Sequence, residues 1–194
     1  MYNIPLNGVF KVTAIFGATG SFWSKHGGVD MTCADRRIYA TCDGEVSYVG
    51  YDGSGGYYIS LKPNADASLR LLTFHQAKIT TKIKKGDKVT RNTIIGTMGD
   101  TGKCTGVHVH YEIRKIGLTV TSIDPTPYMG IPNKVGTYNT KNYPLINYTA
   151  LYNAEKANNA KISADLTAQR QSVIVLTAKL KVSDVKLAGF KLKL

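Results

Sequence analysis

The chain has 194 residues, of which 43% are hydrophobic, and a formal charge of +12. That suits one ordinary domain with an appendage and allows a real core. No run of 18 apolar residues occurs, which excludes a helical membrane span, and "MYNIPLNGVFKV" lacks the basic-then-apolar order of a cleaved leader. The charge favours an anionic partner: nucleic acid, an acidic membrane face or an anionic polymer such as a bacterial wall; solubility is the plainer reading. Three cysteines, Cys33, Cys42 and Cys104, form no CxxC pair. Their odd number argues against a closed disulfide framework and for free thiols, with a Cys33–Cys42 bridge as the alternative.

From Val9 to about Tyr128 the text predicts short strands and tight turns. "VFKVTAIFG" reads as a strand ending at Gly17, and "RIYATCDGEVSYVGYDG" as two strands around Asp43-Gly44 with a further turn at Asp52-Gly53. "GGYYISLK" and "SLRLLTFHQ" continue the sheet. "IKKGDKVTRNTIIGTMGDTG" alternates strands with glycine turns, and "GVHVHYEIRK" is the last strong strand. "IDPTPYMG" reads as an exit loop. The expectation is an all-β, antiparallel domain over residues 1–130.

After Gly130 the composition shifts. Residues 131–150, rich in Asn, Thr and Tyr, suggest a linker or surface strap. Residues 151–194 suggest a helix to about Gln171 followed by short strands. Leu166, Val173, Leu180 and Leu187 recur every seven residues, whereas "SVIVLTAKLKV" and "GFKLKL" alternate at period two. Residues 1–130 carry +5 and residues 131–194 carry +7. A basic tail of this kind suits attachment or self-association as well as it suits a solvated face.

There are four histidines in the chain, and two stand in "TGVHVHYEI". On a strand, His108 and His110 share a face, with Glu112 next along it, while Val107, Val109 and Tyr111 face the core. Paired imidazoles suit a metal or a proton-transfer site. "KHGGVDM" offers His26 and Asp30 across two glycines, a loop that lets both side chains reach one ion. Two histidines and a carboxylate form a zinc set with an open fourth position. His75 ends the apolar run "LRLLTF", where a satisfied edge or core histidine is the bland reading. Glu112 reads as a solvent-exposed or salt-bridged strand residue, or as a partner orienting an imidazole. Phe22 and Trp23 read as groove lining or as packing.

These elements together resemble the LytM/lysostaphin-type zinc metallopeptidases, the M23 family that cuts peptidoglycan peptides. The resemblance covers roughly Val9 to Met129. It runs through "AIFG", "HGGVDM", "ATCDGEVSYVG", "LLTFH", "KKGDKVTRNTIIGTMGDTG", "TGVHVHYEIR" and "DPTPYM" in the family's order. Thr73 stands where the family commonly has Tyr, and Val107 where it often has Pro. The resemblance implies an antiparallel sandwich with a duplicated hybrid motif, one zinc ion, His26, Asp30 and His110 as its ligands, and His75 and His108 as the catalytic pair. It implies bacterial peptidoglycan as substrate, cut in a stem peptide or cross-bridge.

The setting so implied is the bacterial cell wall; the lack of a leader pattern suggests that it is reached as a phage lysin or a virion tail component, or that the chain is a fragment of a larger protein, with phage tail proteins or self-association engaging the C-terminal segment. Anionic wall polymers would meet the basic surface. No nucleic-acid motif accompanies the charge. The alternatives are a non-catalytic structural or wall-binding module, and a related sandwich that uses two histidines for phosphoryl transfer and would not need Asp30.

Overall fold

The structure, a computed structural model, describes residues 2–20, 24–78, 82–143, 158 and 160–176. Phe22 and Trp23 lie outside the described residues. The chain divides into two units, Met1–Ile146 and Asn147–Leu194.

Among its described residues the first unit holds eleven strands: β1 (Val9–Ala14), β2 (Val29–Cys33), β3 (Arg37–Tyr39), β4 (Gly44–Asp52), β5 (Gly56–Pro63), β6 (Leu69–Gln76), β7 (Lys88–Val89), β8 (Ile94–Thr97), β9 (Val109–Lys115), β10 (Thr121–Ile123) and β11 (Gly136–Asn139). One turn of helix, α1 (Thr126–Met129), precedes β11. The main sheet runs β11–β1–β2–β9–β6–β5–β4–β7, with β10 also beside β9; β3 and β8 make a second, two-stranded sheet. All of these pairings are antiparallel, as the short alternating segments require.

Alternation places the core. Phe10 and Val12 of β1, Val29 and Met31 of β2, and Val109, Tyr111 and Ile113 of β9 are all buried and meet in one cluster with Ile38, Val46, Ile59 and Ile95. Each such side chain contributes about 1.5–3 kcal/mol on burial. The residues between them on β9, His110 and Glu112, therefore leave this core on the opposite face. The expected free thiols hold: Cys33, Cys42 and Cys104 are unbridged, and burial pushes the Cys42 thiol up to about 12.

Two boundaries differ from expectation. The linker read over residues 131–150 is structured through residue 143. Ile131 is buried, β11 pairs with β1 from Val9↔Asn139 to Val12↔Gly136, and the Tyr138 ring packs 5.7 Å from that of Phe10. Its polar composition belongs to an edge strand that closes one side of the sheet. Likewise, "IDPTPYMG", read as an exit loop, holds α1, whose N-cap is Pro125; just before it the Asp124 carboxylate accepts from Thr126 N and Oγ1 at 2.8 and 2.7 Å.

A third correction falls on the C-terminal segment, where the sequence predicts strands after Gln171. Residues 160–176 are helical throughout. The period-two run is overridden because extending an existing helix costs far less than starting a strand without a partner. Thr167 and Ser172 satisfy their hydroxyls on the carbonyls of Ser163 and Ala168, at 2.9 and 3.0 Å. The strands expected beyond residue 176 lie outside the described residues. No helix among the described residues is long and apolar enough to cross a membrane.

Candidate metal centre and active site

Strand register brings the first two groups together. Asp30 on β2 stands opposite His110 on β9, and residues directly opposed across an antiparallel pair project from the same face. His26 arrives on the loop before β2. That loop lies so close to β9 that a Cβ on Gly28 would sit 2.3 Å from the Tyr111 carbonyl oxygen; only glycine permits the approach. The result is a compact triad. His110 Nδ1 is 2.7 Å and His26 Nε2 3.2 Å from Asp30 Oδ1, and the two ring nitrogens are 2.9 Å apart.

What holds each ring decides which nitrogen is available. A carbonyl oxygen can only accept, so His26 Nδ1–H donates to Ile15 O at 2.8 Å, leaving Nε2 with its lone pair. His75 Nδ1–H donates to Thr101 O and His108 Nδ1–H to Gly106 O, each at 2.8 Å. Both therefore also present Nε2. His110 is turned the other way round. Its Nε2–H donates to Glu112 Oε1 at 2.9 Å, and Nδ1 faces Asp30.

Glu112 is the partner whose role the sequence left divided. It is 7% exposed and serves both readings at once. Besides His110 it accepts from Arg114 Nε at 2.5 Å and from Ser122 Oγ at 3.4 Å. Burial would raise its carboxyl, but the His110 and Arg114 bonds outweigh burial and hold it below the usual range. Burial likewise opposes ionisation of Asp30, and the bonds from His110 and His26 hold that carboxyl far below its ordinary value. Between two carboxylates, His110 is pushed up to about 9 despite its burial, which favours the neutral ring. A positive charge at Nδ1 is thus strongly favoured, and in the ion-free site a proton supplies it.

The donor set fits a divalent ion. Donors ~2.0–2.2 Å from a tetrahedral zinc stand ~3.3 Å apart, and the three separations of 2.7, 3.2 and 2.9 Å already approach that. One carboxylate oxygen and two imidazole lone pairs suit zinc chemically, and the second nitrogen of each ligand ring is anchored, as metal-bound histidines require.

His75 and His108 flank the triad with ring centroids 4.7 Å apart; His108 Nε2 lies 3.6 Å from Asp30 Oδ1. His75 has φ +57°, at a bulge where β6 carries one residue more than β5 between Tyr57↔Gln76 and Ile59↔Thr73. Such a conformation costs a non-glycine residue ~1–3 kcal/mol. It is held by His75 N to Gly55 O at 2.8 Å and Gly99 N to His75 O at 2.9 Å. The bulge re-aims the side chain out of strand alternation and into the cleft. The glycine-rich hairpin "DGSGG", which needs no function as a plain turn, thus carries a structural load. A Cβ on Gly56 would stand 2.3 Å from Thr101 O, the oxygen that fixes the His75 ring. Burial, chiefly, lowers the pKa of His75.

All five residues line one cleft of about 510 Å³ together with Tyr58, Phe74 and Arg114. Thr73, standing where the family commonly has Tyr, turns inward and accepts from Gln76 Nε2 at 2.8 Å; Phe74 lines the cleft in its place.

Residues 24–125 match peptidase family M23, and every residue of the site falls inside that span. The chain belongs to peptidase family M23. It is 33% identical over 99 residues to the peptidoglycan DD-endopeptidase ShyA of Vibrio cholerae, covering 50% of this chain and 22% of the relative. It is 30% identical over 140 residues to the glycyl-glycine endopeptidase ALE-1 of Staphylococcus capitis, covering 69% of this chain and 38% of the relative. The chain therefore spans well under half the length of these relatives. Among solved structures, the catalytic domain of lysostaphin from Staphylococcus simulans superposes with TM-score 0.55 at 26% identity, over 62% of this chain and 91% of that one. A catalytic-domain variant of the prophage-encoded M23 protein EnpA from Enterococcus faecalis gives 0.53 at 31% identity, over 61% and 91%.

Proposed function

We propose that this chain is a zinc-dependent endopeptidase that hydrolyses peptide bonds of bacterial peptidoglycan. The observation that carries the reading is the convergence of His26, Asp30 and His110 beside two further histidines whose rings are anchored through Nδ1. The names of the peptidoglycan and glycyl-glycine endopeptidases it resembles support the substrate class.

His26 Nε2, Asp30 Oδ1 and His110 Nδ1 would hold the ion. When bound, zinc supplies Lewis acidity, which polarises a carbonyl and makes a water more acidic. The remaining work falls to the chain. His75, kept neutral by burial, and His108 offer lone pairs that accept the proton of an attacking water and return it to the leaving amine. Once protonated, either ring donates a hydrogen bond to the oxygen on which negative charge develops. Glu112 orients His110, and Thr101 and Gly106 orient the catalytic pair.

The test is zinc content together with mass spectrometry of fragments released from purified walls of several chemotypes. One zinc per chain and newly freed peptide ends, both absent in His26→Ala, are expected. Stoichiometric zinc with no bond cut in any wall would overturn the reading in favour of a binding module.

The proposed setting is a phage lysin or tail-associated wall hydrolase, with the basic surface meeting anionic wall polymers and the C-terminal segment serving attachment or self-association. The proposal of a phage setting is prompted by one structurally similar protein being prophage-encoded. Detection of the chain in purified virions would support the tail version, and its absence there with release at lysis the lysin version.

A further inference from the structure

Three carboxylates and three cationic side chains, Lys25, Lys103 and Arg114, line the cleft, so its charges balance formally and a divalent ion held by the triad would tip it positive; what differs is how the two sets are engaged. The carboxylates are those of Asp30, Asp52 and Glu112, and each is already engaged. Asp30 faces the imidazoles of His26 and His110. Glu112 is bonded to His110 and Arg114. Asp52 Oδ1 accepts from Ser54 N and Gly55 N at 2.8 and 2.6 Å.

The cations balance differently. Arg114 is committed to Glu112 and lies 5.4 Å over the Phe74 ring. Lys25 and Lys103 also line the cleft, and among the described residues neither meets a carboxylate within 4 Å. They stand on different walls. Lys25 precedes the ligand His26 and lies 5.6 Å over the Phe16 ring. Lys103 closes the turn whose Thr101 carbonyl holds His75, with its own N–H on Ser54 O at 2.7 Å. A divalent ion in the triad would add further positive charge.

We infer that Lys25 and Lys103 select a peptide bearing a free carboxylate beside the scissile bond, a stem-peptide link with an acidic residue rather than a neutral oligoglycine bridge. The inference rests on the peptidase reading. Two ammonium groups beside a bound cation raise the local concentration of an anionic substrate. An uncharged glycine chain gains nothing from them and leaves both hydrated. Because the lysines are exposed, each contributes modestly, about two- to fivefold, and the effect is screened by salt.

The test uses the zinc-loaded full chain and two synthetic cross-linked stem peptides that differ in one group: the carboxylate next to the scissile bond is free in one and a carboxamide in the other. The expected result is kcat/KM about tenfold higher for the free acid at low salt. That ratio should shrink towards one at ~0.5 M salt, where the screening length falls below ~5 Å, and also in Lys25→Ala/Lys103→Ala. Equal cleavage of the two peptides overturns the inference and leaves the peptidase reading standing. If neither peptide and no wall preparation is cut, the peptidase reading fails and the inference fails with it.

Discussion

The triad and the flanking histidine pair are built differently, although they share one cleft. His110 and Asp30 sit on regularly paired strands, opposite each other in register, and their surroundings are side chains: an imidazole, two carboxylates and a guanidinium. His75 and His108 sit where strands end, one on a bulge with φ +57° and the other joined to Gly99 by an isolated bridge. Each is anchored by a backbone carbonyl. The sheet therefore places two of the three ion ligands, with His26 brought in from the loop before β2 and anchored on Ile15 O, whereas the acid–base pair depends on loops packed against one another through Gly56 and Thr101. The strand-borne half holds donors at the spacing a metal ion needs; the bulge- and turn-borne half presents groups that must exchange protons with substrate.

The most severe way to break this division is to remove a ligand. Asp30→Ala or His110→Ala should abolish stoichiometric zinc and lower hydrolysis by at least ~10³-fold, the scale on which loss of a catalytic ion acts. Elemental analysis and a peptide-release assay would check this, and retained zinc in either variant would break the assignment. His75→Ala should fall on the other side. It keeps one zinc per chain while turnover drops by ~10²–10⁴-fold, the usual share of general acid–base catalysis. Loss of zinc from His75→Ala would show that the two halves are not separate.

Much of this was legible in the residues, and the illegible part has a physical cause. Period-two alternation in "VHVHYEI" places His108, His110 and Glu112 on one face and Val109 and Tyr111 in the core. That Asp30 meets His110 depends on which strand β2 pairs with, and no local pattern encodes it. The bulge at His75 is invisible in "LLTFHQ", because any residue type there would read as strand; only the family's order of motifs pointed to that histidine. Glu112 was left divided because an isolated strand glutamate is ordinarily solvated, and the three donors that bury it come from β9, β10 and the register between them. The edge strand β11 hid in a polar, Asn- and Tyr-rich stretch because an edge needs only one apolar face. The helix over 172–176 was not legible because β-branched residues at period two satisfy a strand pattern, while no partner strand for them stands among the described residues.

Acidity sharpens the comparison further. His110 has its pKa raised to about 9 between Asp30 and Glu112, so the ion-free site holds a proton at Nδ1 throughout the neutral range. An ion binding there must displace that proton. Apparent zinc affinity should therefore rise close to tenfold per pH unit and level off near pH 9. Competition with a chelator of known pH dependence would measure it, and a flat profile between pH 6.5 and 8.5 would contradict it. Stability of the ion-free chain should run the opposite way. The folded-state pKa lies above the unfolded value, so the contribution of His110 is complete below about pH 6.5 and is lost as pH rises through about 9. Denaturant titrations of chelated protein at pH 6.5 and 9 would show the decline, and zinc would suppress it by taking the place of the proton.

The gentlest perturbation asks whether the ion site extends one residue further than its ligands. Glu112→Gln keeps an oxygen that accepts from His110 Nε2–H, so the tautomer with its lone pair on Nδ1 survives. What it loses is the negative charge that raises the basicity of the ring and the ion pair with Arg114. Glu112→Ala loses the acceptor as well, and the ring is then free to place its proton on Nδ1 and become a poor ligand. Partners of this kind are worth ~10–100-fold in metal affinity. The glutamine variant should fall near the lower end and the alanine variant near the upper, with the ranking read by chelator competition at one pH. Because Gly27 and Gly28 pack against Glu112, the alanine change could loosen the loop that carries His26; the glutamine variant, nearly the same size, separates that effect from charge. Equal affinities in wild type and Glu112→Gln would confine the ion site to its three donors and make Glu112 a packing residue clamped by Arg114.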